Sequence, residues 1–117
     1  MASWLRRVLL AATAASAFGA PAVAGANDSE APPPARQREL IRLLKQDCGS
    51  CHGMRLTGGL GPALTPQALR DKPAESLAST IVAGRAGTAM PPWRPFLTAS
   101  EAEWLVARLQ RGDTDAP

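Results

Sequence analysis

The chain has 117 residues, of which 13 are Lys or Arg, 10 are Asp or Glu and one is His, and only 4% are aromatic. This length favours one compact domain and excludes a second domain of ordinary size. The formal charge of +3 is contributed largely by the first residues. It therefore makes no electrostatic case for nucleic-acid binding.

Residues 1–26 have the order of a secretory signal peptide, with basic residues, an apolar run of about 11 residues and then small residues. Cleavage frames of the A-x-A type end at Ala24 and at Ala26, and we favour Ala26. A membrane anchor is the alternative, but a spanning helix needs about 20 apolar residues. Export to the periplasm is predicted, without membrane attachment after cleavage. Loss of Arg6 and Arg7 leaves 11 basic against 10 acidic side chains.

The mature chain divides into a tail, a folded domain and a second short tail. Segment 27–35 is polar and proline-rich, and it is predicted to be disordered because consecutive prolines favour extended polyproline structure. The folded domain is predicted over 36–112, and 113–117 is predicted to be a C-terminal tail.

The first half of the domain is predicted to be a helix followed by a loop. Apolar residues recur at helical spacing within 36–47, so a first helix is expected to end beside Cys48. Four glycines and a proline within 53–64 predict a loop. The order Thr65-Pro66 then predicts a short helical turn over 67–70.

The second half is predicted to contain two helices joined by an irregular segment. Pro73 opens a helix that Gly84 ends, and 87–95 is irregular. Thr98 and Glu101 form a capping box for a last helix, which ends before glycine 112. No alternating strand pattern is present. The predicted fold is all-α, with three to four helices.

One motif carries chemistry, the run Cys48-Gly49-Ser50-Cys51-His52. C-x-x-C-H is the arrangement of c-type haem attachment, in which two thiols bind the porphyrin edge and the histidine binds the iron. A zinc site would need about four Cys or His ligands, and His52 is the only histidine. A thioredoxin-like disulfide would need a strand-helix-strand context, which is not predicted here.

The sixth position of the iron requires a second ligand from elsewhere in the chain. His52 is the only histidine, Met54 is too near it in sequence to reach the opposite face, and Met1 belongs to the signal peptide. Met90 remains, 38 positions after His52. Ordinary core packing is the alternative role of Met90, but a thioether is the soft ligand that haem iron accepts.

These motifs resemble the small class I cytochromes c over about Leu40 to Arg111. The runs that carry the resemblance are C-G-S-C-H from 48, G-L-G-P-A-L from 59 and G-T-A-M-P-P-W from 87. More narrowly, the chain is similar to cytochrome c-55X, the small cytochrome associated with haem d1-containing nitrite reductase. The resemblance implies a class I cytochrome c-like fold around one covalently attached haem c.

The resemblance implies further site residues, and the positions of nearby side chains add others. Pro62 is implied to accept the Nδ1 proton of His52 through its carbonyl, with Gly61 allowing the close approach. Trp93 has two interpretations, contact with the haem or a propionate, and simple core packing. Arg55 and Arg85 are weaker candidates for neutralising propionates. The family often has an aromatic residue where this chain has Arg108, so Trp104 and Leu105 are expected to make the contact between the first and last helices.

Together these features predict a periplasmic single-electron carrier and not an enzyme, because iron bound by both His52 and Met90 has no open position. The protein is expected to be a monomer that meets redox partners, with nitrite reductase or its maturation factors implied by the resemblance. Two alternatives stay open. One is an accessory factor in haem d1 or nitrite reductase maturation, and the other is a haem enzyme or gas sensor in which Met90 is displaced.

Overall fold

The computed structural model describes residues 31–115. The predicted signal peptide, residues 27–30 of the predicted tail and residues 116–117 lie outside this range. Within it the protein has four helical runs and no strand, so the all-α prediction is confirmed. None of the helices in this range is long and apolar enough to cross a membrane.

The first helical run has three consecutive parts: α1 (Pro34–Leu43), a π-helical turn (Leu44–Cys48) and α2 (Gly49–His52). It begins two residues before the predicted start because a proline fits the first turn, where its missing N–H would have no partner. The prediction that it ends beside Cys48 is wrong. The helix continues through the motif to Gly53, whose φ of +90° ends it.

The middle of the domain follows the predicted order. A loop over 53–65 leads to α3 (Pro66–Leu69), where Thr65 Oγ1 accepts a hydrogen bond from the N–H of Ala68 at 3.3 Å. Helix α4 (Ala74–Ala83) begins directly after Pro73 and ends at Gly84, with φ +67°. Residues 84–98 are non-helical and connect α4 to the last helix. This stretch contains Met90 and is called the Met90 segment below.

The last helix, α5 (Ala99–Arg111), has the predicted capping box. Thr98 Oγ1 accepts from the N–H of Glu101 at 3.2 Å, and the Glu101 carboxylate accepts from the N–H of Thr98 at 2.9 Å. Gly112 follows in the left-handed conformation and ends the helix. Both ends of α5 therefore match the sequence signals.

Helix α5 packs against α1, α3 and α4 around one hydrophobic core. The expected contact is present, since Leu105 is buried in the same core as Leu40 of α1, and Trp104 packs against it. Arg108 is itself buried, with its guanidinium 4.8 Å from the centre of the Trp104 ring. Nη2 of Arg108 also donates to the carbonyl oxygen of Asp115 at 2.6 Å. A cation thus stacks on an indole at the position where the resemblance led us to expect an aromatic ring.

Candidate functional site

A cavity of about 1020 Å³ lies between α2, the loop that follows it, α4, the Met90 segment and α5. Its volume is at the upper end of the roughly 300–1,000 Å³ that cofactor sites usually occupy. Cys48, Cys51, His52, Met90 and Trp93 all line it. The fold therefore brings together residues that are up to 45 positions apart in the sequence.

The His52 ring is fixed by the loop that follows it. Nδ1 lies 2.7 Å from the carbonyl oxygen of Pro62, the atom pair that the family resemblance implied. A carbonyl can only accept, so in the neutral imidazole Nδ1 carries the proton and Nε2 has the free lone pair. Gly61 lies flat against the ring, since a Cβ there would be 2.8 Å from Nδ1 and from Cε1. This arrangement prepares Nε2 as a metal ligand.

Backbone hydrogen bonds fold this loop onto the end of α2. The N–H of Gly61 donates to the carbonyl of Cys51 at 2.8 Å, and the N–H of Gly58 donates to the carbonyl of His52 at 2.8 Å. Gly53 makes the reversal possible, because a Cβ there would lie 2.5 Å from the carbonyl oxygen of Gly58. The glycines that predicted an irregular loop therefore determine where the imidazole lies.

The two cysteines are free thiols at one wall of the cavity. Burial, with a smaller contribution from the neighbouring Asp47 carboxylate, raises the pKa of the Cys48 thiol to about 11. Within residues 31–115, no group of three or more His, Cys, Asp or Glu side chains is placed to hold a metal ion. Both sulfur atoms are free at the cavity wall, as covalent attachment of a cofactor there requires.

Met90 is half-buried at the cavity and sits in a tightly bonded turn. Its carbonyl accepts from the N–H of Arg85 at 3.1 Å, and its N–H donates to Thr88 Oγ1 at 3.3 Å. Gly84 was identified in the sequence only as a helix stop, yet a Cβ there would lie 2.6 Å from the carbonyl carbon of Pro91. Gly84 thus allows the Met90 segment to pack against the end of α4.

Trp93 connects this segment to α4 and to the core. Its backbone N–H donates to the backbone carbonyl of Ile81 at 3.0 Å. Its indole ring contacts the ring of Phe96, with 5.8 Å between the ring centres. The side chain both lines the cavity and packs against the core, so the two sequence interpretations are compatible. Of the two candidate arginines, Arg85 lines the cavity and Arg55 does not.

The rest of the lining is predominantly apolar and suits a large hydrophobic macrocycle. Its aliphatic members are Leu44, Leu60, Leu64, Leu69, Leu77, Ile81, Leu97, Leu105, Val106 and Leu109. None of these aliphatic residues was predicted from the sequence as a site residue, because an apolar side chain at helical spacing is as typical of an ordinary core. Two thiols that can bind the porphyrin, a histidine whose Nε2 can bind the iron and an apolar cavity are together the features that haem c requires.

Comparison with known proteins agrees with this geometry. A family model described as cytochrome c oxidase, cbb3-type, subunit III matches residues 35–107. Cytochrome c55X of Pseudomonas aeruginosa is 61% identical over 84 residues, which cover 72% of this chain and 71% of that protein. Cytochrome c55X of Paracoccus denitrificans is 47% identical over 108 residues, which cover 92% of each.

Two solved structures are also similar to this chain in sequence and fold. The c-type cytochrome NirC is 62% identical with a TM-score of 0.70, and the match covers 74% of this chain and all of that one. Dihydro-heme d1 dehydrogenase NirN in complex with DHE is 32% identical with a TM-score of 0.55, and the match covers 73% of this chain but 16% of that one. The chain therefore belongs to the cytochrome c55X family of c-type cytochromes, and Cys48 and Cys51 carry a covalently attached haem c.

Proposed function

We propose that this protein is a periplasmic single-electron carrier whose haem iron is bound by His52 and Met90. The observation that carries the proposal is that both side chains line one apolar cavity, and that His52 has its Nδ1 proton committed to Pro62. The haem supplies one-electron iron chemistry, and His/Met ligation raises its reduction potential. If His52 and Met90 both hold the iron, no position would be left for a substrate, and the protein would act as a carrier and not as an enzyme.

The protein's own residues have distinct roles in this proposal. The Pro62 carbonyl orients the imidazole and increases the basicity of Nε2, as hydrogen-bond partners of metal-bound histidines do. Met90 supplies a thioether from a segment that Gly84 and Thr88 hold in place. Trp93 lines the cavity together with Met90, where its ring would limit the access of water to the haem. The apolar wall disfavours the additional charge of ferric haem and so favours the reduced state.

Ligation by Met90 is tested with a matched pair of methionine variants of the haem-loaded protein. Met90→Ala should abolish the weak far-red band that arises from methionine-to-iron charge transfer. Met54→Ala removes a side chain that is 70% exposed and should retain the band. A band that survives in Met90→Ala, or is absent from the parent protein, would exclude Met90 as the ligand and reopen the possibility of a haem enzyme or gas sensor.

We propose that the redox partner is the haem d1-containing nitrite reductase of the same periplasm. The support is the similarity to cytochromes c55X and the predicted signal peptide at 1–26. Reduced protein mixed with oxidised nitrite reductase should be oxidised within the time of rapid mixing experiments. If the reductase leaves the cytochrome reduced, the donor role fails.

A second candidate is an accessory role in haem d1 or nitrite reductase maturation. One observation favours it: dihydro-heme d1 dehydrogenase of Pseudomonas aeruginosa is 38% identical over 76 residues, which cover 64% of this chain and 15% of that protein. Deleting the gene distinguishes the two. A maturation factor predicts reductase that lacks complete haem d1, whereas a carrier predicts complete reductase with slowed nitrite reduction in cells.

The cellular location is tested separately. Fractionation of cells that express the full chain should recover mature, haem-stained protein from the periplasm. Mass spectrometry should give an N-terminus at Asn27 if cleavage follows Ala26. Recovery of uncleaved protein in the membrane fraction would contradict export with cleavage.

A further inference from the structure

Arg36, in the first turn of α1, joins three parts of the molecule through its guanidinium group. Nε donates to Glu101 Oε1 at 2.7 Å and Nη2 donates to Glu101 Oε2 at 3.0 Å. Nη2 also donates to the carbonyl oxygen of Phe96 at 2.8 Å. Nη1 donates to Glu39 at 3.0 Å on the exposed side. Helix α1, helix α5 and the segment after Met90 thus meet at one side chain.

The partner carboxylate is also shared. Glu101 Oε2 accepts from the N–H of Thr98 as well as from Arg36, and the Glu101 side chain is only 14% exposed. The guanidinium and the capping box of α5 therefore fix each other. Bidentate arginine-carboxylate pairs of this kind have a defined geometry, which a lysine cannot reproduce.

The bond to Phe96 reaches Met90 through a short and stiff connection. The N–H groups of Phe96 and Leu97 both donate to the carbonyl of Trp93, at 2.9 and 3.2 Å, and the rings of Phe96 and Trp93 are in contact. Between Trp93 and Met90 lie only Pro91 and Pro92, whose rings restrict φ. A displacement of the Phe96 backbone should therefore also displace Met90.

The Met90 segment is held at two ends. Near its beginning the N–H of Arg85 donates to the carbonyl of Met90, and the backbone N–H groups of Trp93 and Arg94 donate to the carbonyls of Ile81 and Val82 in α4. At its far end Leu97 is buried in the core, whereas Phe96 is 61% exposed, so burial of the Phe96 side chain contributes little. Arg36 is the side chain from another helix that bonds to this end.

From this geometry we infer that Arg36 is a positioning residue that keeps the Met90 segment closed over the haem. The inference rests on the proposed ligation by Met90. Loss of the Arg36–Phe96 bond should allow the segment to open more often, and each opening releases the iron position that Met90 fills. A small ligand that competes with Met90 would then bind more tightly.

The experiment measures the affinity of imidazole for the ferric, haem-loaded protein at pH 7 in a set of variants. Arg36→Gln should increase the affinity by up to about fivefold, because the bond to Phe96 is charge-assisted but exposed to solvent. Arg36→Lys keeps the charge but cannot span Glu101 and Phe96 together, so it should give a smaller increase. Glu39→Gln removes the charge of the Arg36–Glu39 ion pair but leaves the bonds to Glu101 and Phe96, so it should leave the affinity unchanged.

Thr98→Ala separates positioning from general stability. It removes the hydroxyl that caps α5, while the backbone N–H of residue 98 and Arg36 still hold the Glu101 carboxylate and the Arg36–Phe96 bond remains. The urea midpoint should fall in this variant with little change in imidazole affinity. Equal imidazole affinities in Arg36→Gln and the parent protein, or an equal rise in Thr98→Ala, would overturn the inference. If Arg36→Gln does not fold, Arg36→Lys compared with Glu39→Gln decides by the same criteria.

The parent protein shows which proposal fails. If the parent lacks the far-red methionine band, both the proposed ligation by Met90 and the proposed role of Arg36 are refuted. If the band is present and the Arg36 variants bind imidazole as the parent does, only the role of Arg36 falls.

Discussion

Replacing Gly61 with alanine should displace the His52 ring, because the new methyl group has no room. Its Cβ would lie 2.8 Å from Nδ1 and from Cε1, whereas ordinary contacts begin at 3.4 Å, so the ring must move by about 0.6 Å. The same movement stretches the bond from Nδ1 to Pro62, now 2.7 Å. Overpacking of this size costs about 1–3 kcal/mol.

Two measurements on the haem-loaded protein follow this change. The free energy of unfolding in urea should fall by about 1–3 kcal/mol. The g-values of the ferric electron paramagnetic resonance spectrum should shift, since they depend on the orientation of the imidazole plane. Gly49→Ala is the matched control, because its nearest contact would be an ordinary 3.6 Å. If Gly61→Ala has the stability and g-values of the parent, the ring does not lie against Gly61 as described.

Three further changes test the elements around the site. Gly84→Ala should lower the free energy of unfolding in urea by about 2–4 kcal/mol, because the new methyl group clashes with Pro91 and the backbone φ is positive. Gly87→Ala is the control, since its φ is also positive but the space around it is open, and it should lower the free energy by only about 1–2 kcal/mol. Equal decreases in the two variants would contradict the clash. Thr98→Ala should lower the unfolding free energy by about 1 kcal/mol, and an unchanged value would contradict the capping role. The Arg36 guanidinium lowers the pKa of Glu101, so this pair should stabilise the protein above about pH 4.3 and lose that effect as pH falls through the lowered pKa. Unfolding between pH 3 and 6 should therefore depend less on pH in Glu101→Gln, and equal slopes would contradict the pairing.

Much of the site could be predicted from the sequence because its signals are local. The spacing of Cys48, Cys51 and His52 is a chemical requirement that needs no knowledge of the fold. The capping box of Thr98 and Glu101 is likewise a contact over three residues, and it is present in the structure. Met90 was selected because the composition leaves few possible ligands, and the structure places it at the same cavity as His52.

Other features depend on the tertiary structure and have no local signal. Arg36 and Glu101 are 65 positions apart, and nothing in the sequence near either residue indicates the other. Gly84 has the expected position of a helix stop, but its contact with Pro91 appears only when the segment folds back. The burial of Arg108 beside Trp104 also depends on where the C-terminal residues lie, since Asp115 supplies one of its acceptors.

The first helix shows a third kind of difference, in which a local signal gives the wrong end of an element. The apolar spacing within 36–47 predicted a helix that ends beside Cys48, but the backbone of Gly49 is still helical, with φ −60°. Gly53 takes the positive φ instead and ends the helix four residues later. As a result Cys48, Cys51 and His52 lie on one continuous helical run, which orients the two thiols and the imidazole relative to each other.

The binding of carbon monoxide to the reduced, haem-loaded protein at neutral pH distinguishes a closed electron carrier from an open haem site. If His52 and Met90 both hold the iron, carbon monoxide near atmospheric pressure should leave the optical spectrum almost unchanged, and Met90→Ala should convert fully to the carbon monoxide complex. Rapid, stoichiometric formation of that complex by the parent protein would contradict the proposed ligation and the carrier function with it.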